Sequence, residues 1–372
     1  MEEALLGGLS PQVFLRRHWQ KRPLLVRAAL PGFRGAIGKN ALFRLAARND
    51  IESRLVERRR RRWFVTNGPL SRARISAAGA RDWTLLVNGV NHHEPAAERL
   101  LRRFSFIPQA RLDDVMVSYA APGGGVGPHF DSYDVFLVQG EGRRLWRLAK
   151  ARPTRRPFSL VPDAPLKLIA DFHAEEEILL APGDLLYLPP GWGHDGVALD
   201  ACFTCSVGFR APGGAELAAG FLDYLHERGL PEAGYRDPGL RATRRPGRIG
   251  ADMLGFAHRQ LKRIRWNRGD AAEFLGRFLS APKNNVVFEG NPKTVKLRGK
   301  LAVLDPKARL LYLGTRFFIN GESVAARPAQ RAALALLADR RRAPGTRLAR
   351  AGLERLILDW HRAGFLRLES RP

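Results

Sequence analysis

Cysteine is nearly missing from this chain: Cys202 and Cys205 are the only two in 372 residues. Two thiols cannot staple a protein of this size, so a disulfide framework is excluded as the source of its fold. Long apolar runs are missing too. No stretch approaches the roughly 18 to 20 residues that a membrane-spanning helix needs, so no membrane partner is expected. The Met1-Glu2-Glu3 start is acidic and lacks a secretory layout. A cytoplasmic location is the expectation that follows. Acidic residues are scarce: 36 Asp and Glu stand against 62 Lys and Arg, for a net charge of +26. Lysine is scarce as well, with 10 against 52 arginines. Such an excess points either to contact with a polyanion, nucleic acid above all, or to arginine codon bias in a GC-rich genome.

The charge is uneven. Residues 1–110 carry +13 and residues 211–372 carry +16, while the hundred between them carry −3. The middle segment also differs in pattern. Short apolar stretches at 113–120, 133–139, 144–149, 177–180, 184–188 and 202–209 alternate with Gly- and Pro-rich turns. Strands at this spacing, with no helices between them, predict a sandwich or barrel. The flanks read as helical. A short amphipathic helix is expected over 11–19, and a longer one over 40–62, ending in the run Arg58 to Arg62. Such a run reads as a solvated face or as an RNA contact. Helix is expected again over 215–228 and 251–280, with an exposed loop at 234–250. Near the C-terminus, 309–325 reads as two strands and Asn320-Gly321 as a turn. Two helices near 328–342 and 347–363 and a short strand follow, which together suggest a winged helix.

The segment with chemistry in it is Gly127-Pro128-His129-Phe130-Asp131. In a strand, residues i and i+2 share a face, so His129 and Asp131 converge. His194, in Pro189-Pro190-Gly191-Trp192-Gly193-His194, is the candidate for a third ligand from another strand. Two histidines and one carboxylate are the facial set of non-haem Fe(II) oxygenases, which leaves positions open for a co-substrate and O₂. The alternative is that these are ordinary structural histidines. Cys202 and Cys205 form a C-x-x-C, but i and i+3 in a strand face opposite sides, so they read as packing residues. His92-His93 is too close in sequence to act as a ligand pair and reads as structural.

Four blocks resemble a known family: Asp113–Val138 (DDVMVSYAAPGGGVGPHFDSYDVFLV), Gln139–Arg147 (QGEGRRLWR), Leu186–Gly196 (LYLPPGWGHDG) and Cys205–Pro212 (CSVGFRAP). Asn88–Pro95 (NGVNHHEP) adds a fifth. They are similar to the JmjC-type 2-oxoglutarate oxygenases, and within them to bacterial ribosomal oxygenases that hydroxylate an arginine of a large-subunit ribosomal protein. The resemblance implies a mainly β fold with added helices (α+β). A cupin-like double-stranded β-helix would be followed by a helical dimerisation region and a winged helix. The expected units are 1–212, 213–290 and 291–372, in a homodimer. The implied iron ligands are His129, Asp131 and His194, and the implied co-substrates are 2-oxoglutarate and O₂. Arg144 matches the residue that holds the far carboxylate of 2-oxoglutarate, with Ser118, Thr204 and Met116 beside it. Asp114, Tyr133 and Ser206 fall near the substrate side chain. Strand parity sets Asp114, Met116 and Ser118 on one face and turns Asp113 away. It likewise turns Arg143 away from Arg144.

Three functions stay open at this point. The first is a ribosomal-protein arginine hydroxylase, for which Asp114 suits a cationic side chain. The second is a related oxygenase acting on another residue, such as histidine. The third is a non-catalytic factor that binds RNA or the ribosome through its basic flanks.

Overall fold

A computed structural model describes residues 2–60, 62–150, 158–283, 285–292 and 295–370. The first twelve strands are β1 (Leu24–Val26), β2 (Ser53–Arg59), β3 (Arg62–Asn67), β4 (Trp83–Val87), β5 (Leu112–Ala120) and β6 (His129–Phe130), then β7 (Val135–Gln139), β8 (Arg144–Ala149), β9 (Glu176–Leu180), β10 (Leu185–Leu188), β11 (Gly193–Ala198) and β12 (Cys202–Phe209). They form two antiparallel sheets. The larger has the order β1-β10-β7-β12-β5-β4-β2-β3, and the smaller has the order β6-β11-β8-β9.

Alternation along each strand sorts the residues into an outer and an inner layer. On β5, Val115, Val117 and Tyr119 point outward, as do Phe203, Cys205, Val207 and Phe209 on β12 and Phe136 and Val138 on β7. There they pack against the N-terminal helices through Leu5, Phe14, Leu42, Phe43, Leu100 and Phe104. The other parity faces the second sheet. Val135 and Leu137 meet Trp146, Leu148, Ile178 and Leu180 across the barrel. This is the expected double-stranded β-helix, and it fills one end of its interior while leaving the other open. Cys202 packs with Ala120 and Ala198, whereas Cys205 lies in the outer core, so the two thiols do face opposite sides.

The long helix expected over 40–62 is not there. A helix covers Lys39–Ala46 and then gives way to the β2–β3 hairpin, which turns at Arg60 with a φ of 49°. Arginine and glutamate are good helix formers in isolation. Pairing of β2 with β4 overrides that preference, because it buries Leu55 in the outer core. The helical segment 251–280 is likewise two helices, Ala251–Arg263 and Arg268–Ser280. Asn267 caps the second, its side chain accepting from Gly269 and Asp270 amides.

Past residue 299 come β13 (Lys300–Leu304), β14 (Leu310–Leu313), β15 (Arg316–Ile319), β16 (Glu322–Val324), β17 (Arg342–Pro344) and β18 (Leu366–Ser370). Residues 309–325 hold three strands rather than two, because Gly314, at φ 60°, adds a turn before the one at Asn320-Gly321. The expected last helix is also split, into Gly345–Arg350 and Glu354–Arg362. With helix Pro328–Arg340, these surround the β17-β13-β18 sheet and enclose a second core that includes Leu334, Leu337, Ile357 and Trp360. No helix among the described residues is long and apolar enough to cross a membrane.

Candidate active site

The open end of the barrel is a cavity of about 540 Å³. His129 on β6 and His194 on β11 are directly opposed in register, and Asp131 follows just past the end of β6. The ring centroids of the two histidines are 4.2 Å apart, and His194 Nε2 lies 3.7 Å from Asp131 Oδ2. One ligand atom from each of the three falls within 4.8 Å of the others. Both imidazoles are tied from behind. His129 Nδ1 is 2.9 Å from the Gly127 carbonyl and His194 Nδ1 is 3.0 Å from the Trp192 carbonyl. A carbonyl only accepts, so each Nδ1 carries the proton and each Nε2 keeps its lone pair for a metal. Burial, and then the neighbouring His129, push His194 down to about 4. It is therefore neutral at neutral pH, the form a metal ligand needs. The donor set fits a divalent metal with open positions.

Two glycines are required by this geometry. Gly127 has a φ of 77°, and a Cβ there would lie 2.7 Å from Leu168. Gly196 is paired with Trp146, and its Cβ would lie 2.7 Å from that ring.

Arg144 opens β8 and is 5 % exposed. Its Nη1 donates to Ser118 Oγ and to Thr204 Oγ1, each at 3.2 Å. Ser118 and Thr204 are cross-strand partners on β5 and β12. Their hydroxyl protons go elsewhere: Thr204 donates to Gln139 Oε1 at 3.1 Å and Ser118 to the Thr204 carbonyl at 3.4 Å. Both oxygens therefore present lone pairs to the guanidinium. Among the described residues Arg144 has no carboxylate partner, and its Nε is buried without any acceptor. Burial holds its pKa below the ordinary arginine value. A buried cation with no counter-charge is costly, and an anionic ligand in the cavity would relieve it. The site fits one carboxylate of a dicarboxylic ligand. Thr204 does not reach the cavity wall but lies behind Arg144, whereas Met116, Ser118 and Ser206 line the wall itself. Arg143 points the other way, onto Asp200 at 2.9 Å.

Tyr133 and Asp114 also line the cavity. Tyr133 is 40 % exposed and stands at the mouth, while the next residue, Asp134, turns out to accept from Tyr187 Oη at 2.6 Å. Burial, and then Asp131, raise the Tyr133 hydroxyl well above the usual tyrosine range.

Asp113 does not turn away from Asp114 as strand parity predicts. Val115 pairs with Val207 and Leu112 with Phe209, so Asp113 and Asp114 together oppose the single residue Gly208. This is a β-bulge, and the extra residue breaks the alternation. Both aspartates consequently line the cavity, and both meet Lys283 Nζ, at 3.0 Å from Asp113 and 2.9 Å from Asp114. Sequence patterning carried no signal for Lys283, or for Arg309, which also reaches Asp113 at 3.3 Å.

Residues 99–217 match the JmjC domain family, and residues 263–367 match the ROXA-like winged helix. The chain is 35 % identical to the Escherichia coli ribosomal protein uL16 3-hydroxylase, over 84 % of each protein. It is 38 % identical to a probable ribosomal oxygenase of Haemophilus influenzae, over 57 % of this chain and 52 % of that one. Its backbone superposes on the solved E. coli ribosomal oxygenase YcfD in complex with cobalt and 2-oxoglutarate with a TM-score of 0.79 and 31 % identity. That match covers 97 % of this chain and 99 % of YcfD. Another structure of YcfD gives a TM-score of 0.81 at 31 % identity, covering 97 % and 98 % of the two chains. The chain belongs to the JmjC-domain ribosomal oxygenases.

Proposed function

We propose that this protein hydroxylates an arginine side chain of a large-subunit ribosomal protein, using Fe(II), 2-oxoglutarate and O₂. The observation that carries the reading is Arg144: a buried guanidinium without a carboxylate partner among the described residues, lining the cavity that also holds His129, Asp131 and His194. A metal-chelating dicarboxylate that spans both features answers both needs. When bound, iron and 2-oxoglutarate would let O₂ act as the oxidant, one of its oxygen atoms turning a substrate C–H into C–OH and the other entering succinate as 2-oxoglutarate loses CO₂.

His129, Asp131 and His194 hold the metal on one face. Arg144 receives the far carboxylate of 2-oxoglutarate, oriented by Ser118 and Thr204, and Met116 walls the same end. Asp114, Tyr133 and Ser206 receive the substrate side chain at the mouth. The negative middle of the chain, −3 over 111–210, suits a cationic guest. A relative that is 35 % identical to this chain supports a ribosomal-protein target, since it is called a ribosomal protein uL16 3-hydroxylase.

We assign 1–212 to the oxygenase unit, 213–290 to a helical region that pairs two copies, and 291–372 to the winged helix. The enzyme is placed in the cytoplasm, where ribosomal proteins are made. The basic flanks, with the arginine-rich β2–β3 hairpin, dock ribosomal RNA near the target. A steep fall in RNA affinity with salt is expected; salt-independent or undetectable binding would retire that contact.

The test is mass spectrometry of ribosomal proteins from cells with and without the enzyme. One added oxygen on one arginine is the expected result. The same mass on a histidine would instead favour the activity in the name of a Drosophila relative, a histidyl-hydroxylase that is 25 % identical over 52 % of this chain. No added oxygen and no 2-oxoglutarate turnover would leave a ribosome-binding factor without catalysis.

A further inference from the structure

The acidic pair at the cavity mouth is already occupied. Asp113 and Asp114 bring two negative charges, and Lys283 and Arg309 bring two positive ones. A substrate cation would therefore meet a neutral cluster rather than a free carboxylate. The two resident cations differ in how they are held. Arg309 has a side chain that is 15 % exposed, and it donates to the Asp113 main-chain carbonyl at 3.1 Å as well as to its carboxylate. It serves the bulge as a structural tie. The Lys283 side chain is 40 % exposed, and among the described residues its hydrogen bonds go to the two carboxylates alone. It projects from the irregular segment that follows helix Arg268–Ser280, on a flexible four-carbon stem. Asp114 has Lys283 as its one ion-pair partner among the described residues.

We propose that Lys283 is a resident counter-cation that occupies the substrate-cation position on Asp114 and yields it to an incoming cationic side chain. The proposal rests on the reading of Asp114 as part of the substrate pocket. It gives the residue a role in specificity. A cation that replaces the Lys283 ammonium leaves the charge on the acidic pair balanced. A neutral side chain of the same shape cannot make that exchange without stranding Asp114, so Lys283 stays and the mouth remains occupied. Lys283 itself touches no reacting atom; it decides which side chains reach them.

The experiment uses the full chain and two small probes, N-acetylarginine amide and its neutral isostere N-acetylcitrulline amide, with binding followed by calorimetry. Lys283→Met should tighten the arginine probe by about tenfold, as removal of a competing occupant requires, and tighten the citrulline probe less, since citrulline gains the vacated mouth but brings no charge to Asp114. Lys283→Arg, which keeps a cation in place, should bind the arginine probe no better than the wild type does. Should the methionine variant fold poorly, Lys283→Gln removes the charge while keeping a donor toward Asp113. Unchanged or weaker arginine binding in the neutral variants, equal gains for both probes, or no arginine binding to any form would each overturn the assignment. Hydroxylation of a ribosomal-protein arginine is a separate readout. Its failure with the exchange intact would remove the proposed substrate and leave Lys283 as assigned, and the reverse pattern would do the opposite.

Discussion

His129 and His194 stand directly across from one another on antiparallel strands, with ring centroids 4.2 Å apart. The register of β6 on β11 thus brings two residues 65 positions apart in the chain together as one face of a candidate metal site. Each ring is anchored by its own Nδ1 to a carbonyl of its own strand end. The anchors do not depend on a bound ion, so the face is preformed. His129→Ala and His194→Ala should each fold and melt near the wild type in the metal-free state. Both should lose more than about 100-fold in Co(II) affinity, beyond what loss of an outer partner alone costs. Cobalt absorption titrations check this, and wild-type-like binding in either variant would remove that histidine from the ligand set.

Arg144 makes a prediction with two signs. Its guanidinium is buried without a carboxylate partner among the described residues. Arg144→Met should therefore leave the unliganded protein as stable as the wild type, or more stable by about 1–4 kcal/mol, as replacement of buried charge by apolar volume often does. The same change should raise the apparent KM for 2-oxoglutarate by at least about tenfold, which corresponds to about 1.4 kcal/mol of lost binding. Thermal melts with and without 2-oxoglutarate separate the two effects. A variant that is destabilised but keeps its KM would make Arg144 a structural residue.

His92 supplies the pH dependence. Burial first, and then the cations Arg309, Lys283 and Lys307 with neighbouring His93, push it down to about 3. Its folded pKa lies below the unfolded value near 6.5, so between those limits the unfolded chain binds the extra proton. Stability contributed here is complete above about pH 6.5 and is lost as pH falls toward 3, at up to about 1.4 kcal/mol per pH unit. His92→Gln removes the titration. Urea midpoints measured from pH 7 down to pH 4 should fall less steeply in the variant than in the wild type. Parallel curves would show that His92 is not protonated on unfolding.

The strands that carry the cavity were legible because two-residue alternation and Gly/Pro punctuation survive in sequence. That is why Asp114, Met116 and Ser118 fall on the inner face of β5, and Arg143 and Arg144 on opposite sides of β8. Two kinds of feature were not legible. The first is pairing that overrides local preference: Arg58 and Arg59 read as the end of a helix until β4 claims β2. The second is register. A bulge of one residue at Asp113-Asp114 has no mark in the sequence, yet it moves a carboxylate from one face to the other. Lys283 shows the same difficulty at long range, since it meets Asp113 across 170 positions from a segment without regular structure.

The helix Ala251–Arg263 buries none of its residues, and Met253, Leu254 and Leu261 are exposed along it, with Ile249 just before it and Trp266 just after. Leu254 and Leu261, seven positions apart and so two helical turns apart, are 68 % and 66 % exposed. Phe256 on this helix meets Tyr235, but the stripe itself stays exposed, and an exposed apolar stripe of this kind is what a second copy would cover. Leu254→Glu combined with Leu261→Glu places two charges at the centre of such an interface. Light scattering behind size-exclusion chromatography should then give twice the chain mass for the wild type and the single chain mass for the variant. None of the cavity-lining residues lies on this helix, so the variant should keep the wild-type Co(II) titration. A wild type that elutes as a monomer, or a doubly charged variant that still pairs, would move the interface elsewhere.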